Sequence, residues 1–208
     1  MIPLMLDLRG RRVLIFGGGR VSLRKARFFS GEADVAVVSR SFSADLRALG
    51  VECIPMDLSA APDTDLLEHL EGAYLVVAAT DDPDLNDRIG RLCTARGILF
   101  NNADGETGDV LVPSVVRGDH YCISISTCGR SPAIARYLRI SLEREHPMLD
   151  RMVLLQEELR RDLKETEPSG ERRSEILWQV LEDREVWEAL SRGMGEARAL
   201  VTGRYLHG

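Results

Sequence analysis

Val13-Leu-Ile-Phe-Gly-Gly-Gly-Arg-Val-Ser-Leu-Arg-Lys25 is the stretch whose reading decides the fold. Four apolar residues, Val13 to Phe16, run straight into Gly17, Gly18 and Gly19, and a helical pattern follows through Ala26, Phe28 and Phe29. The order is a buried parallel strand, a tight glycine turn and a helix. Gly17 and Gly19 fit the first two positions of the G-x-G-x-x-G dinucleotide fingerprint, and Ser22 takes the third, where a small residue lets helix and strand pack closely. Residues without side chains let the backbone approach a pyrophosphate, and the helix aims its free N–H groups at the anion. The rival reading is a glycine turn that only joins strand to helix. A second strand on schedule favours the nucleotide.

That second strand is Ala33 to Ser39, rich in valine. The dinucleotide pattern expects an acidic residue near its end to take the ribose hydroxyls. This chain reads Ser39-Arg40-Ser41 instead. Hydroxyls of Ser39 or Ser41 could hold the ribose, and Arg40 could lie over the adenine, meet a 2′-phosphate or stand in solvent. NAD and NADP both remain open at this point. Further strands are predicted at Glu52–Met56, Tyr74–Ala79 and Ile98–Phe100, with a short helix over Leu66–Leu70. Tyr74–Ala79 runs into Thr80-Asp81-Asp82-Pro83-Asp84, a polar loop at a strand's carboxyl end, where open α/β sheets bind ligands. Asp82 or Thr80 caps the next helix, Pro83 sits near its first turn, and Leu85, Ile89, Leu92 and Cys93 form its apolar stripe. After the fifth strand, Asn101-Asn102-Ala103-Asp104-Gly105 has the composition of a turn.

Gly108 to Val116 is apolar but interrupted by Pro113, which suits an edge strand or a crossover. Tyr121 to Ser126 alternates with period two, a strand with one polar face. Ser131 before Pro132 is a strong helix start, with Ile134, Leu138 and Leu142 expected as the buried stripe. From His120 to Arg139 there are three arginines, Arg130, Arg136 and Arg139, and no Asp or Glu. A basic window around a helix N-terminus in an acidic chain suits an anionic ligand. The plainer alternative is a solvated face with Arg139 paired to Glu143. From Met148 onward the pattern is helical, broken at Glu167-Pro168-Ser169-Gly170, with Trp178 and Trp187 expected as core anchors.

The totals bound these readings. At 208 residues the chain can hold one ordinary domain, or a domain plus a smaller second unit, and 44% hydrophobic with 29% charged residues is a globular balance. A net charge of −6 argues against a nucleic-acid binder. No apolar run approaches the roughly 18 residues of a membrane span, and the start of the chain lacks signal-peptide character. The expectation is a cytoplasmic protein with no membrane partner. Cys53 and Cys122, in apolar strand-like runs, are expected to be buried free thiols, and the four histidines show no metal-ligand spacing.

Four motifs appear in order: Gly-Gly-Gly-Arg-Val-Ser-Leu-Arg-Lys-Ala (17–26), Ala-Ala-Thr-Asp-Asp (78–82), Asn-Asn-Ala-Asp (101–104) with Val-Pro-Ser (112–114), and Ser-Thr-Cys-Gly-Arg-Ser-Pro-Ala-Ile-Ala-Arg (126–136). Together they closely resemble the precorrin-2 dehydrogenase family, the dehydrogenase and ferrochelatase part of siroheme synthase, here in a stand-alone form. The resemblance spans about the first 145 residues. It implies an α/β fold: a Rossmann-type parallel sheet over 1–113, a central α+β dimerisation and substrate region over 114–146, and a helical domain over 147–208. It implies oxidation of precorrin-2 to sirohydrochlorin with NAD, in a homodimer, with ferrous iron as a further substrate in members that also insert the metal. By the same resemblance Gly17, Gly19, Arg20, Val21, Arg40, Ser41 and Thr80 contact the cofactor. Asp104 matches the family's essential aspartate, and Gly129, Arg130, Ser131 and Arg136 fall at the tetrapyrrole site. Two departures stand out. Relatives commonly carry Val in place of Asn102, and an aromatic residue before Pro113. The alternative from another class is a non-catalytic dinucleotide-binding regulatory module, against which the acid-free arginine window and Asp104 argue.

Overall fold

The computed structural model describes residues 1–103, 105 and 108–206. The chain divides into two compact units, Met1–Val112 and Pro113–Gly208. Segments 114–146 and 147–208 therefore fall in one unit.

The first unit is built on five parallel strands, β1 (Arg12–Phe16), β2 (Asp34–Ser39), β3 (Glu52–Pro55), β4 (Ala73–Ala78) and β5 (Leu99–Asn102), in the spatial order β3-β2-β1-β4-β5. Alternate residues of each strand feed two cores. Leu14, Phe16, Ala36, Val38, Val76, Ala78 and Phe100 pack on one side with α3 (Asp63–Leu70) and α4 (Pro83–Arg96). Val13, Ile15, Val35, Val37, Leu75 and Val77 pack on the other with α1 (Arg20–Phe29) and α2 (Ala44–Ala48). Burial on both faces is why β1, β2 and β4 read as apolar runs, whereas the edge strand β3 has no buried residue and the edge strand β5 ends in Asn101 and Asn102. Each fully buried large side chain contributes about 1.5–3 kcal/mol.

Helix α4 starts where the sequence predicts. The Asp82 carboxylate accepts from the N–H groups of Asp84 and Leu85 at 3.0 and 3.2 Å, and Pro83 occupies the first turn. It ends at Gly97 in the left-handed region, φ 66°. Gly90 in its middle faces β5, and a Cβ there would stand 2.6 Å from Phe100 Cε1.

The second unit opens with an antiparallel pair, β6 (Ser114–Arg117) and β7 (Cys122–Ile125), followed by α5 (Pro132–Glu145). Four helices follow: α6 (Leu149–Thr166), α7 (Gly170–Glu182), α8 (Arg184–Arg192) and α9 (Met194–Val201), with a π-helical turn over Thr202–Leu206. Met152, Leu155, Leu159 and Leu163 of α6 meet Ile176, Val180, Val186, Leu190 and Val201 in a core of their own. The closing turn is tied down by Arg204 Nη1 to Asp183 Oδ2 at 2.5 Å and by the Tyr205 hydroxyl to the same oxygen at 2.9 Å.

Three expectations need correction. Ile134 and Leu138 of α5 are 53% and 42% exposed, not a buried stripe; of that helix only Ala135 is buried. Trp178 is 63% exposed, because it lies two positions from both Ile176 and Val180, off the buried face of α7. Cys122 is exposed and Cys53 half-buried, whereas Cys93 is buried. The period-two pattern explains Cys122, which shares the outward face with Ser124 while Ile123 and Ile125 turn inward.

Gly90→Ala is expected to destabilise the first unit by about 1–3 kcal/mol through overpacking against Phe100. Urea titration measures it, and Phe100→Leu in the same chain should restore part of the loss.

Candidate functional site

The strand order reverses between β1 and β4, and ligands of such sheets bind in the crevice beyond the strands' carboxyl ends at that point. Gly17, with φ 112°, turns the chain out of β1 there. Its N–H donates to Val38 O at 2.9 Å, and the Ala79 N–H donates to Phe16 O at 2.9 Å. A Cβ on Gly17 would run into the Ala79 carbonyl, and one on Gly18 into the Ser41 carbonyl and the Ser39 side chain. Gly19 differs, since a Cβ there would meet open space. Two of the three glycines thus allow close backbone packing, and the third keeps the mouth of the turn clear for a ligand. Ser22 is fully buried, its hydroxyl donating to Ala79 O at 3.4 Å, as the close-packing third position requires.

The turn opens into a cavity of about 580 Å³. Gly17, Gly19, Arg20, Val21, Arg40, Ser41 and Thr80, the seven positions predicted to touch the cofactor, all line it. Helix α1 enters it with no side-chain cap and no acidic residue in its first turn, so its free N–H groups suit a pyrophosphate. Ser39 is nearly buried, and its Oγ accepts from the Ser41 N–H at 3.4 Å, which fixes the bend after β2. These residues fit a bound dinucleotide.

Two participants escaped the sequence reading. Asn86 is 2% exposed on α4. Its Oδ1 accepts from the Thr80 hydroxyl at 2.7 Å and the Thr80 N–H at 3.2 Å, while its Nδ2 donates to Thr80 O at 3.2 Å. A helix-interior Asn three residues before the buried Ile89 was the available signal. Asp57, just past β3, also lines the cavity. The Ser59 hydroxyl and N–H donate to it at 2.7 and 3.1 Å and, with the Arg40 charge, hold its carboxyl below the ordinary value against a slight opposing desolvation. Lys25 is 8% exposed on α1, on the same buried side as Ser22, Ala26 and Phe29.

Asp104 lies outside the described residues. Two residues before it in sequence, Asn102 accepts from the Gly105 N–H at 3.0 Å and donates to Asp87 Oδ1 at 3.3 Å. A Cβ on Gly105 would collide with the Asn102 amide. Asn101 is 2% exposed; its Nδ2 donates to Val110 O at 2.7 Å, and its Oδ1 has no partner among the described residues.

In the second unit, Gly129, Arg130 and Ser131 form the entry to α5, and Arg136 lies on its exposed surface. Cys128 and Gly129 both adopt left-handed backbone, φ 52° and 82°. Thr127 Oγ1 accepts from the Ser131 N–H at 2.9 Å, and Ser131 Oγ accepts from the Ile134 N–H at 3.4 Å. Arg139 is bound to Glu143 at 2.7 Å, as the plainer reading expected, whereas Arg130 and Arg136 have no acidic partner among the described residues. Among those residues no group of three or more His, Cys, Asp or Glu could hold a metal ion, and no helix is long and apolar enough to cross a membrane.

Comparison with known proteins agrees with this geometry. Residues 4–114 match the family model described as "Putative NAD(P)-binding". The chain is 42% identical over 201 residues to a precorrin-2 dehydrogenase of Methanosarcina barkeri, covering 94% of this chain and 89% of that one. The chain belongs to the precorrin-2 dehydrogenase family. A siroheme synthase of Azotobacter vinelandii is 31% identical over 214 residues, covering 98% of this chain and 44% of its own length. The solved structure of SirC, a precorrin-2 dehydrogenase, superposes with a TM-score of 0.71 over 98% of this chain and 100% of that one; at 22% identity that likeness is one of fold. This family member therefore carries its nicotinamide dinucleotide site in residues 4–114.

Burial, with the nearby Asp109 charge, pushes the Cys93 thiol up to about 12. At pH 8 its thiolate is scarce, so alkylation by iodoacetamide should modify Cys122 and Cys128 first, Cys53 more slowly, and Cys93 only on unfolding. Peptide mass mapping over time reads the order.

Proposed function

We propose that this protein is a cytoplasmic precorrin-2 dehydrogenase that oxidises precorrin-2 to sirohydrochlorin with NAD, in siroheme biosynthesis. The observation that carries the reading is the convergence of seven family-matched positions on one cavity at the sheet's reversal point, in a chain of that family. The siroheme synthase relative supports the pathway.

The oxidation removes one hydride and one proton from the reduced macrocycle. NAD, when bound, supplies the nicotinamide that accepts the hydride. The open glycine turn and the N–H groups of α1 hold the pyrophosphate, Arg40 and Ser41 hold the adenosine end, and Thr80, fixed by Asn86, lines the wall beyond β4. In this reading Asp104 takes the proton or holds a pyrrole N–H. Asn102 and Gly105, on either side of it in sequence, are hydrogen-bonded to each other, and Asn102 also donates to Asp87.

Gly129, Arg130, Ser131 and Arg136 are assigned to the macrocycle's carboxylates. Arg130 and Arg136 are exposed and without acidic partners among the described residues, and α5 begins with no acidic residue in its first turn. Both features favour a polyanionic ligand. The exposed Ile134, Tyr137, Leu138 and Ile140 on the same helix support a homodimer formed through the central region. Insertion of ferrous iron into sirohydrochlorin, as substrate, is the second activity of this reading.

Anaerobic incubation with enzymatically generated precorrin-2 and NAD tests it, following sirohydrochlorin and NADH by absorbance, with ferrous iron added afterwards. Asp104→Asn is expected to lower kcat by about 10²–10⁴-fold while leaving NADH affinity unchanged. Arg130→Ala and Arg136→Ala should raise the KM for the tetrapyrrole and spare that for NAD. Absence of dinucleotide reduction, or near-normal turnover by Asp104→Ala, would overturn the assignment. Siroheme formation above the spontaneous rate would add the chelatase.

A further inference from the structure

The end of β2, where an NAD site of this type places a carboxylate, carries Ser39-Arg40-Ser41. The neighbouring strand supplies what is missing. Ser39 pairs with Pro55 at the end of β3, and the Met56 N–H donates to Ser39 O at 3.0 Å. Asp57 follows directly, so its carboxylate stands at the same edge of the cavity as Arg40 and Ser41. Arg40 Nη1 is 4.0 Å from Asp57 Oδ2, with 72% and 52% of the two side chains exposed. A pair so long and so exposed contributes little to stability. Its effect lies in the local potential, where one fixed negative charge offsets the only cation of the bend after β2.

Resting on the dinucleotide reading above, we infer that Asp57 sets the cofactor preference. Its carboxylate, contributed from β3, keeps Arg40 from serving as a 2′-phosphate site and makes the ribose end of the cavity select NAD over NADP. Two effects act together. The carboxylate accepts from an unmodified ribose hydroxyl, and it repels a phosphate placed at the same point. Arg40 alone would do the reverse, because an arginine after β2 is the usual partner of a 2′-phosphate. Ser59 keeps the carboxylate in place through its two hydrogen bonds, at 2.7 and 3.1 Å.

Equilibrium binding of NADH and NADPH, followed by their own fluorescence, tests this without any tetrapyrrole. The wild-type chain should bind NADH more tightly than NADPH. Asp57→Asn should shift the ratio of the two dissociation constants toward NADPH by about tenfold or more, chiefly through tighter NADPH binding. Asp57→Glu, which retains the charge, should keep the preference, and Arg40→Ala added to Asp57→Asn should remove the NADPH gain. Circular dichroism confirms that each variant is folded. A wild-type preference for NADPH overturns the inference, as does an Asp57→Asn ratio within a factor of about two of wild type or a weakening of both ligands alike. A wild-type chain that binds neither dinucleotide refutes the cofactor reading itself. Clear NADH binding with an unmoved ratio refutes only the role of Asp57.

Discussion

The first unit depends on how closely the backbone leaving β1 passes the backbone leaving β4. Gly17 can lie against the Ala79 carbonyl only because it has no Cβ, and the same approach lets Ser22 bury its hydroxyl on that carbonyl. From this contact follow the seat of α1 on the sheet, the direction of its free N–H groups and the width of the crevice beyond the strands. Gly18 extends the constraint sideways, since its packing on the Ser41 carbonyl and the Ser39 side chain couples the glycine turn to the bend after β2. Bulk at either glycine would displace two strand ends together, which makes this a constraint on the fold before it is one on the ligand.

What was legible in the sequence follows from where each signal resides. β1, β2 and β4 were readable because parallel strands covered on both faces become continuous apolar runs, while the short edge strands β3 and β5 were placed by the polar residues that end them. The Asp82 cap and the Ser131 cap were readable because capping is local chemistry, settled within three residues. Ser22 was readable because the fingerprint states a spacing. By contrast, Asp57 and Asn86 act on residues that are distant in sequence or on another element, and no spacing rule announces a β3 residue placed beside the end of β2. Family resemblance, not composition, picked out Asp104, since an Asp after two asparagines reads as an ordinary turn.

The misread helical residues turn on what a periodic pattern leaves unsaid. A helical period locates an apolar stripe but does not say what covers it. On α6 the stripe is covered by α7, α8 and α9, so Met152, Leu155 and Leu159 are buried. On α5 the same spacing leaves Ile134 and Leu138 open within the second unit. Trp178 shows the complementary error, where size suggested an anchor and phase ruled it out. An aromatic ring two positions from both core contacts of α7 cannot turn inward without breaking the helix's register.

The distribution of acid along the helices follows one pattern with two exceptions, one in each unit. Seven of the nine helices among the described residues carry an acidic residue in the first turn, from Asp45 in α2 to Glu196 in α9. Only α1 and α5 carry none. In a chain of net charge −6 the default is to satisfy each helix's positive end with its own carboxylate. Leaving two ends without one forfeits a few tenths of a kcal/mol to about 1 kcal/mol at each. What is gained is a pair of N-termini with no carboxylate of their own to repel an anion from outside the chain, although at α5 the Ser131 hydroxyl already takes the Ile134 N–H. One follows the glycine turn, and the other follows the exposed Arg130. Under the proposed function the two gaps answer the two polyanionic ligands, a dinucleotide and a tetrapyrrole, that an acidic chain would otherwise repel.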